Sequence, residues 1–411
     1  MGFYRFMEAI VHNGAPNRGV NAARGGRLQV FRFICFTFIS YLSVGIPLAV
    51  LPQYINLRLG MSAAMVGLVI GLQSLATLAS RPLAGRISDR RGAKASVLWG
   101  LAACTASGVA MLCAALFEHH LWLSFTFLVA SRLPLGVAVS LGSTGSILWC
   151  IRSLGQEYTA STISYNGIAT YGGVGLGAPL GVVLAARWGL AGIGMFTAVF
   201  GAASFVFAAR KARGPAVHGE PERFHRVLGR VAQHGAAVAL SSVAFGVLTT
   251  FIALYFSYRH WNGAALCITA FGAAFVAVRA LFSQAINHWG GLPVAAISLV
   301  VTSAAIFLLW LAGSPWTAGA AAALTGVGFS LIYPALGVEA IRRIPEHNRG
   351  AALSGFTVFF DVSLFLTGPA AGMVIGWFGY ASVFLFALVC QLASLGMVVV
   401  MVQREAGNSA Q

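Results

Sequence analysis

The chain has 411 residues, of which 58% are hydrophobic and only 9% charged. A water-soluble domain carries about 25% charged residues; this chain cannot clothe its surface with polar groups, so the bilayer is its solvent. Its net charge of +16 does not point to nucleic acid, because the basic residues stand in short breaks between apolar runs and not on one face of soluble elements.

The first 32 residues are polar and basic. The apolar run behind them lacks the short core and small-residue cleavage pattern of a signal peptide, and it reads as an uncleaved first span. A membrane-crossing helix needs about 20 mostly apolar residues. Twelve such runs are predicted: 29–54, 61–84, 95–117, 122–150, 160–184, 189–208, 235–257, 263–286, 291–312, 316–338, 350–374 and 380–402. Between the sixth and seventh lies "ARKARGPAVHGEPERFHRVLGR", residues 209–230, rich in charge and holding Pro215 and Pro221. It reads as a linker between two bundles, an N-terminal unit 1–208 and a C-terminal unit 231–411. The predicted fold is an all-α membrane protein of twelve transmembrane helices in two pseudo-symmetric six-helix bundles.

Lys and Arg orient the chain, since they accumulate on the cytoplasmic side. With the N-terminus inside, twenty of the 26 basic residues fall on inner segments and only Arg58, Arg187 and Arg259 on outer loops. Both termini are expected in the cytoplasm. Arg81, Arg132 and Arg279 lie within spans.

The chemistry follows in chain order. The first span holds Tyr41, Pro47 and Pro52, and the second holds Gln73 and Arg81. Arg132 stands inside the fourth span; a cation in hydrocarbon is costly and faces a cavity or a partner, or else snorkels. The same span carries Pro134 and Trp149. The fifth carries Asn166, Tyr171 and the glycines Gly173, Gly177 and Gly181, spaced four apart so that another helix can approach, with Pro179 among them. Phe256 ends the seventh span. Arg279, in the eighth, mirrors Arg81, and both read as gate or packing charges near the inner surface. Tyr333 and Pro334 lie in the tenth span. Glu339 and Glu157 stand at inner helix ends, where Arg342, Arg343 or Arg152 are the expected partners. In the eleventh span Asp361 sits among Phe359, Phe360, Leu364 and Phe365, ahead of Gly368 and Pro369. Desolvation favours the neutral form of a carboxyl, so Asp361 is a candidate proton carrier; the structural alternative is a helix cap or a pair with Arg279 or Arg349. Tyr41, Gln73, Trp149, Asn166, Tyr171, Phe256, Tyr333 and Asp361 are the candidate cavity residues. The six cysteines, Cys35, Cys104, Cys113, Cys150, Cys267 and Cys390, show no metal or disulfide spacing. No metal or cofactor is expected.

The halves repeat. A shift of 190 residues lays Gly136-Val137-x-x-Ser140-Leu141 on Gly326-Val327-x-x-Ser330-Leu331, and Pro179 on Pro369. A shift of 198 lays Arg81 on Arg279 and Gly92 on Gly290. Parallel six-span repeats are a transporter architecture.

"SRPLAGRISDRRGAK", residues 80–94, joins the second and third spans. Its Gly85-x-x-x-Asp89-Arg90-x-Gly92-x-Lys94 resembles the loop-two signature of the major facilitator superfamily, with Ala93 where a basic residue is usual. The resemblance extends over the whole chain, through "IPLAVLPQYI", "NGIATYGGVGLGAPLG" and "YPALGVEAIRRIPEHNRGAALSGFTVFFD", and is similar to a bacterial branch described as sugar or drug efflux. It implies that Gly85 permits close helix packing. It also implies that Asp89 sits near the start of the eleventh helix and locks the halves in an outward-closed arrangement, consistent with an anion at a helix N-terminus. Asn287 replaces the acid in the second half. Arg132-x-x-x-Gly136 resembles a fourth-helix motif of proton-coupled exporters, with Leu135 in place of the usual Gln, and Gly177-Ala178-Pro179 loosely resembles a fifth-helix antiporter motif.

"GSTG" at 142–145 has no histidine within a span to serve as base, and no phosphate-binding loop is present. The chain therefore does not read as an enzyme. A secondary transporter is expected, exporting a small organic solute in exchange for protons from the bacterial inner membrane, as a monomer. Import of a sugar or organic acid, by facilitation or proton symport, and a sensor without net transport are the alternatives. The solute could be an anion or zwitterion met by Arg132, a neutral sugar, or a cation held by Asp361.

Overall fold

The computed structural model describes residues 18–155, 158–212, 224–282, 284–342, 344 and 349–409, with backbone alone at 18–28, 160, 224–228, 349–354 and 406–409. Eleven long helices carry the described chain: α1 Arg18–Leu48, α2 Ala63–Arg90, α3 Ala93–Leu116, α4 Leu121–Leu154, α5 Thr159–Ala209, α6 Phe224–Tyr258, α7 Ala264–Leu281, α8 Gly291–Trp310, α9 Pro315–Arg342, α10 Arg349–Phe378 and α11 Ser382–Ser409. Helix is forced on apolar runs in a bilayer, because every backbone N–H and C=O must find its partner within the segment.

α5 counts twice. Its 51 residues would span roughly 75 Å at 1.5 Å per residue, against a hydrocarbon core of about 30 Å. Gly189 breaks it with φ 61° and ψ −155°, a conformation open to glycine and costly for other residues. Spans five and six meet at that break, so twelve crossings result.

Three boundaries differ from the sequence reading. α1 begins at Arg18 and not near residue 29, and the first span ends in a short helix, Leu51–Gln53, and one wide turn, Tyr54–Arg58. α6 begins at Phe224, so the last part of the predicted 209–230 linker is helical; nothing in "FHRVLGR" stops a helix once Pro221 is passed. The eighth span stops at Leu281, and Ala285–Trp289 forms a separate short helix before Gly290.

Within the first half α1 packs on α4 and α5, α2 on α4, and α3 on α4 and α5. In the second, α6 packs on α9, α10 and α11, α7 on α9, and α8 on α9 and α11. The halves meet along two seams, α2 against α10 and α5 against α7. The repeat is visible in the contacts. The backbone of Gly136 in α4 lies against Gln73 and Thr77 of α2, and that of Gly326 in α9 lies against Phe271 of α7.

One end of the bundle carries Arg58, Glu118 and Tyr380; the other carries Arg90, Arg152, Lys211 and Arg342. At the first end Gln53 Nε2 donates to the Ala253 carbonyl at 3.0 Å and to Ser257 Oγ at 2.8 Å, tying the halves. Gly67 of α2 and Gly368 of α10 meet backbone to backbone, with no room for a Cβ on either, and Gly372 lies on Ala63 and Ala64. This end is sealed.

Candidate functional site

Gly85-x-x-x-Asp89-Arg90-x-Gly92-x-Lys94 folds as the last turn of α2 and the start of α3. Gly92, with φ 90° and ψ 151°, turns the chain between them. Asp89 Oδ1 accepts from Arg152 Nη2 at 2.8 Å, and Arg152 Nη1 donates to the Ser88 carbonyl at 2.7 Å, so α2 is held to the end of α4. Lys94 Nζ donates to the carbonyls of Ala209 and Lys211, where a cation complements the end of a helix. All of these contacts stay within the first half. Gly85 has no close neighbour among the described residues and Arg90 is exposed. The side chains that open α10, where the resemblance places Asp89's partner, lie outside the described residues, as do Glu157 and the Arg343 and Arg349 side chains. Glu339 pairs with Arg342 at 3.0 Å and also accepts the Gly291 N–H at 3.0 Å, which caps α8.

Between the halves lies a cavity of about 250 Å³. Tyr41 and Arg81 line it from α1 and α2, Asn166 and Tyr171 from α5, Arg279 from α7, and Tyr333 and Asp361 from α9 and α10. A smaller cavity of about 110 Å³ adjoins it toward the sealed end and shares Tyr41, Tyr171 and Asp361; Gln73 lines this one. Asn166 Oδ1 accepts from Thr37 Oγ1 at 2.9 Å, and Tyr333 shares a hydroxyl hydrogen bond of 2.7 Å with Thr357.

Asp361 is 4% exposed and is gripped by two nitrogens of Arg81. Nε donates to Oδ2, and Nη2 donates to Oδ1 at 3.1 Å. The pair spans the halves, α2 to α10. Of the two partners that sequence offered Asp361, Arg279 does not pair with it and the side chain of Arg349 lies outside the described residues; Arg81 faces it across the seam because α2 and α10 run side by side.

Two predicted cavity residues, and the proton-coupling candidate Arg132, lie elsewhere. Trp149 is buried between Phe33 and Phe36, at ring distances of 5.4 and 5.8 Å, in a cluster with Val97 and Leu101. Phe256 packs edge-on to Trp261 near the sealed end. Arg132 lines neither large cavity. It is 1% exposed, and its described partners are Ser131 Oγ at 3.2 Å and Met111 Sδ at 3.3 Å. Its guanidinium reaches Met111 of α3.

Arg81 and Arg279 are the site residues that sequence reading set aside as gate charges. Arg279 is 7% exposed and donates Nη1 to the Ser330 carbonyl at 2.8 Å. The signal that could have found them was their matched placement under the 198-residue shift. Gly173, Gly177 and Gly181 form the α5 face that lies on α1, over Leu42, Gly45 and Ile46, with Pro179 in the same helix, while Pro369 sits inside α10 next to Gly368.

Comparison with known proteins fits this arrangement. Residues 33–292 match the family profile of the Major Facilitator Superfamily. An uncharacterized MFS-type transporter of Burkholderia pseudomallei strain 1106a is 48% identical over 379 residues, covering 92% of this chain and 93% of its own. One from Pseudomonas aeruginosa strain LESB58 is 47% identical over 384 residues, covering 93% and 96%. Among solved structures, the nucleoside transporter NupG (D323A mutant) superposes with a TM-score of 0.72 at 14% identity, over 92% of this chain and 99% of its own. The human organic anion transporter MFSD10 (TETRAN) gives 0.67 at 14%, over 90% and 99%. At that identity the two structures share the fold alone. With its profile match, its relatives along nearly its full length and its paired six-helix halves around a central cavity, the chain belongs to the major facilitator superfamily and is a membrane transporter, not an enzyme.

Proposed function

We propose that this chain is a proton-coupled secondary transporter that moves a small organic solute across the bacterial inner membrane by alternating access, as a monomer with both termini in the cytoplasm. The observation that carries the reading is the Arg81–Asp361 pair, a cation from one half and a carboxylate from the other inside the cavity between them. A proton on Asp361 cancels the charge that holds Arg81, and loss of that proton restores the tie. Protonation is thereby linked to the separation of the halves. The basic residues support the Arg152 end as cytoplasmic. The described conformation is then closed outside, with its cavity displaced toward the cytoplasm, and Asp361 is in the paired state that follows proton release.

Export is the direction that the Arg132-x-x-x-Gly136 and Gly177-Ala178-Pro179 resemblances support. One observation favours the second reading, import of an organic acid together with a proton: Arg279 enters the same cavity with no carboxylate partner among the described residues. Inverted vesicles carrying a pH-sensitive dye decide the matter when challenged with sugars, organic acids and drugs. Solute-dependent proton movement in wild type and none in Asp361→Asn is expected. Equal solute carriage in both, with no proton movement, overturns the coupling.

A further inference from the structure

The two arginines of the cavity are related by the internal repeat, but their partners are not. A shift of 198 residues lays Arg81 of α2 on Arg279 of α7, and the 190-residue shift that relates α5 to α10 lays Tyr171 on Asp361. The seams α2–α10 and α5–α7 are equivalent in the two halves. Arg81 therefore faces Asp361, while Arg279 faces the position where its own carboxylate would stand and meets Tyr171 there. The Tyr171 ring lies 3.9 Å from that of Phe275, tilted by 34°, one turn before Arg279.

Arg279 is left as a buried cation with one hydrogen bond, from Nη1 to the Ser330 carbonyl. The edge formed by Nε and Nη2 makes none among the described residues. A carboxylate accepts from such an edge through two parallel bonds. That edge looks at Gly167 of α5: a Cβ placed on Gly167 would stand 3.0 Å from Nη2 and 3.4 Å from Nε. Glycine keeps the space in front of the edge open, and Gly167, Asn166 and Thr170 line the cavity beside it. Leaving a buried guanidinium without a counter-charge is costly, and among the described residues only the Ser330 carbonyl and the Phe275 ring, 5.9 Å from Cζ, offset this one.

We infer that Arg279 is the anion-binding residue of the transport site and that the solute is a small organic acid whose carboxylate takes the Nε–Nη2 edge of Arg279, as Asp361 takes that of Arg81 on the opposite seam. The inference rests on the reading of this cavity as the solute site. With Asp361 ionised, Arg81 and Arg279 leave the lining one positive charge in excess, which a monoanion neutralises. The cavity of about 250 Å³ has room for about eight waters at ~30 Å³ each, which is the scale of a solute with a handful of heavy atoms. Tyr41 and Tyr333 offer hydroxyls to the rest of it. The titratable groups facing the two arginines are Tyr41 from α1, Tyr171 from α5, Tyr333 from α9 and Asp361 from α10.

The test is thermal stabilisation of the full-length purified protein by lactate, gluconate and benzoate, with glucose, glucosamine and inorganic phosphate alongside. At least one organic monoanion stabilises wild type, and glucose and glucosamine do not. Arg279→Gln weakens that binding roughly ten- to a hundredfold, the worth of a charge-assisted bond. Gly167→Ala, which fills the space and keeps the charge, also weakens it, and Arg58→Gln at the distant sealed end leaves it unchanged. The inference falls if no organic monoanion stabilises, if glucose, glucosamine or phosphate alone does, or if Arg279→Gln binds the anion as wild type does. Repeating the titration in Asp361→Asn, with proton flux measured in proteoliposomes, separates the two claims. Anion binding that needs Arg279 without any proton movement removes the coupling and leaves the anion site standing.

Discussion

Asp361→Asn and Arg81→Gln should together cost less than the sum of their separate losses. Removing one partner of a buried ion pair leaves an uncompensated charge, at about 3–5 kcal/mol when burial is complete. Here the Asp361 side chain is 5% exposed and that of Arg81 24%, because the guanidinium touches the cavity. Water reaches Arg81, so we expect the loss in Asp361→Asn to sit at about 2–3 kcal/mol, below that range. Arg81→Gln strands the more deeply buried carboxylate, which can take up a proton, and should cost a similar amount near neutral pH and less in acid. The double variant has no stranded charge. Its loss should fall short of the sum by about 1–3 kcal/mol, the coupling energy of directly bonded residues. Thermal unfolding of the four purified proteins measures the cycle, and solute-driven proton flux in vesicles measures function in the same set. The double variant should recover part of the summed loss while proton flux stays abolished. Additive losses would refute the pairing, and proton flux at the wild-type rate in Asp361→Asn would refute the role of the carboxylate.

Three further outcomes are expected. Gly368→Val places side-chain atoms against the backbone of Gly67 and should prop the sealed end open, read as faster labelling from outside of a cysteine introduced at Thr249 in the smaller cavity; unchanged labelling would show that this crossing is not a gate. Gln53→Ala removes two hydrogen bonds across the halves, each worth about 0.5–1.5 kcal/mol, and should raise the same labelling rate about five-fold or more. Arg132→Met replaces a buried cation having no acidic partner among the described residues with an apolar chain of similar length; unfolding temperature should hold or rise, in line with a gain of up to about 4 kcal/mol, and a marked fall would mean that Arg132 carries a stabilising contact.

The number, order and apolar cores of the spans were legible because a bilayer imposes a single rule, a long run without charge. The break at Gly189 was legible too, since "RWG" separates two such runs. Pairings across the halves were not. Asp361 and Arg81 are 280 residues apart, and no periodicity within α2 or α10 says which residues face each other over a seam. The 198-residue match between Arg81 and Arg279 held that information in part, but it was spent on the decayed loop signature. Arg132 misled for the opposite reason. A charge within a span demands an explanation, and sequence cannot say whether the side chain turns to the centre of the bundle or to a neighbouring helix. Trp149 was likewise placed at the cavity, when its size fills the gap between α4 and Phe33 and Phe36 of α1.

Along the seam where Gly67 lies on Gly368, and again where Gly175 meets Gly272, the halves touch through bare main chain. Interlocked side chains act as teeth: to part them, each must change rotamer, and the barrier grows with every tooth. Smooth main-chain surfaces carry none. They behave as bearings on which two rigid bodies can roll, and the work of opening falls on the few polar ties set beside them. The speed of the machine is then adjustable one hydrogen bond at a time, without repacking either half.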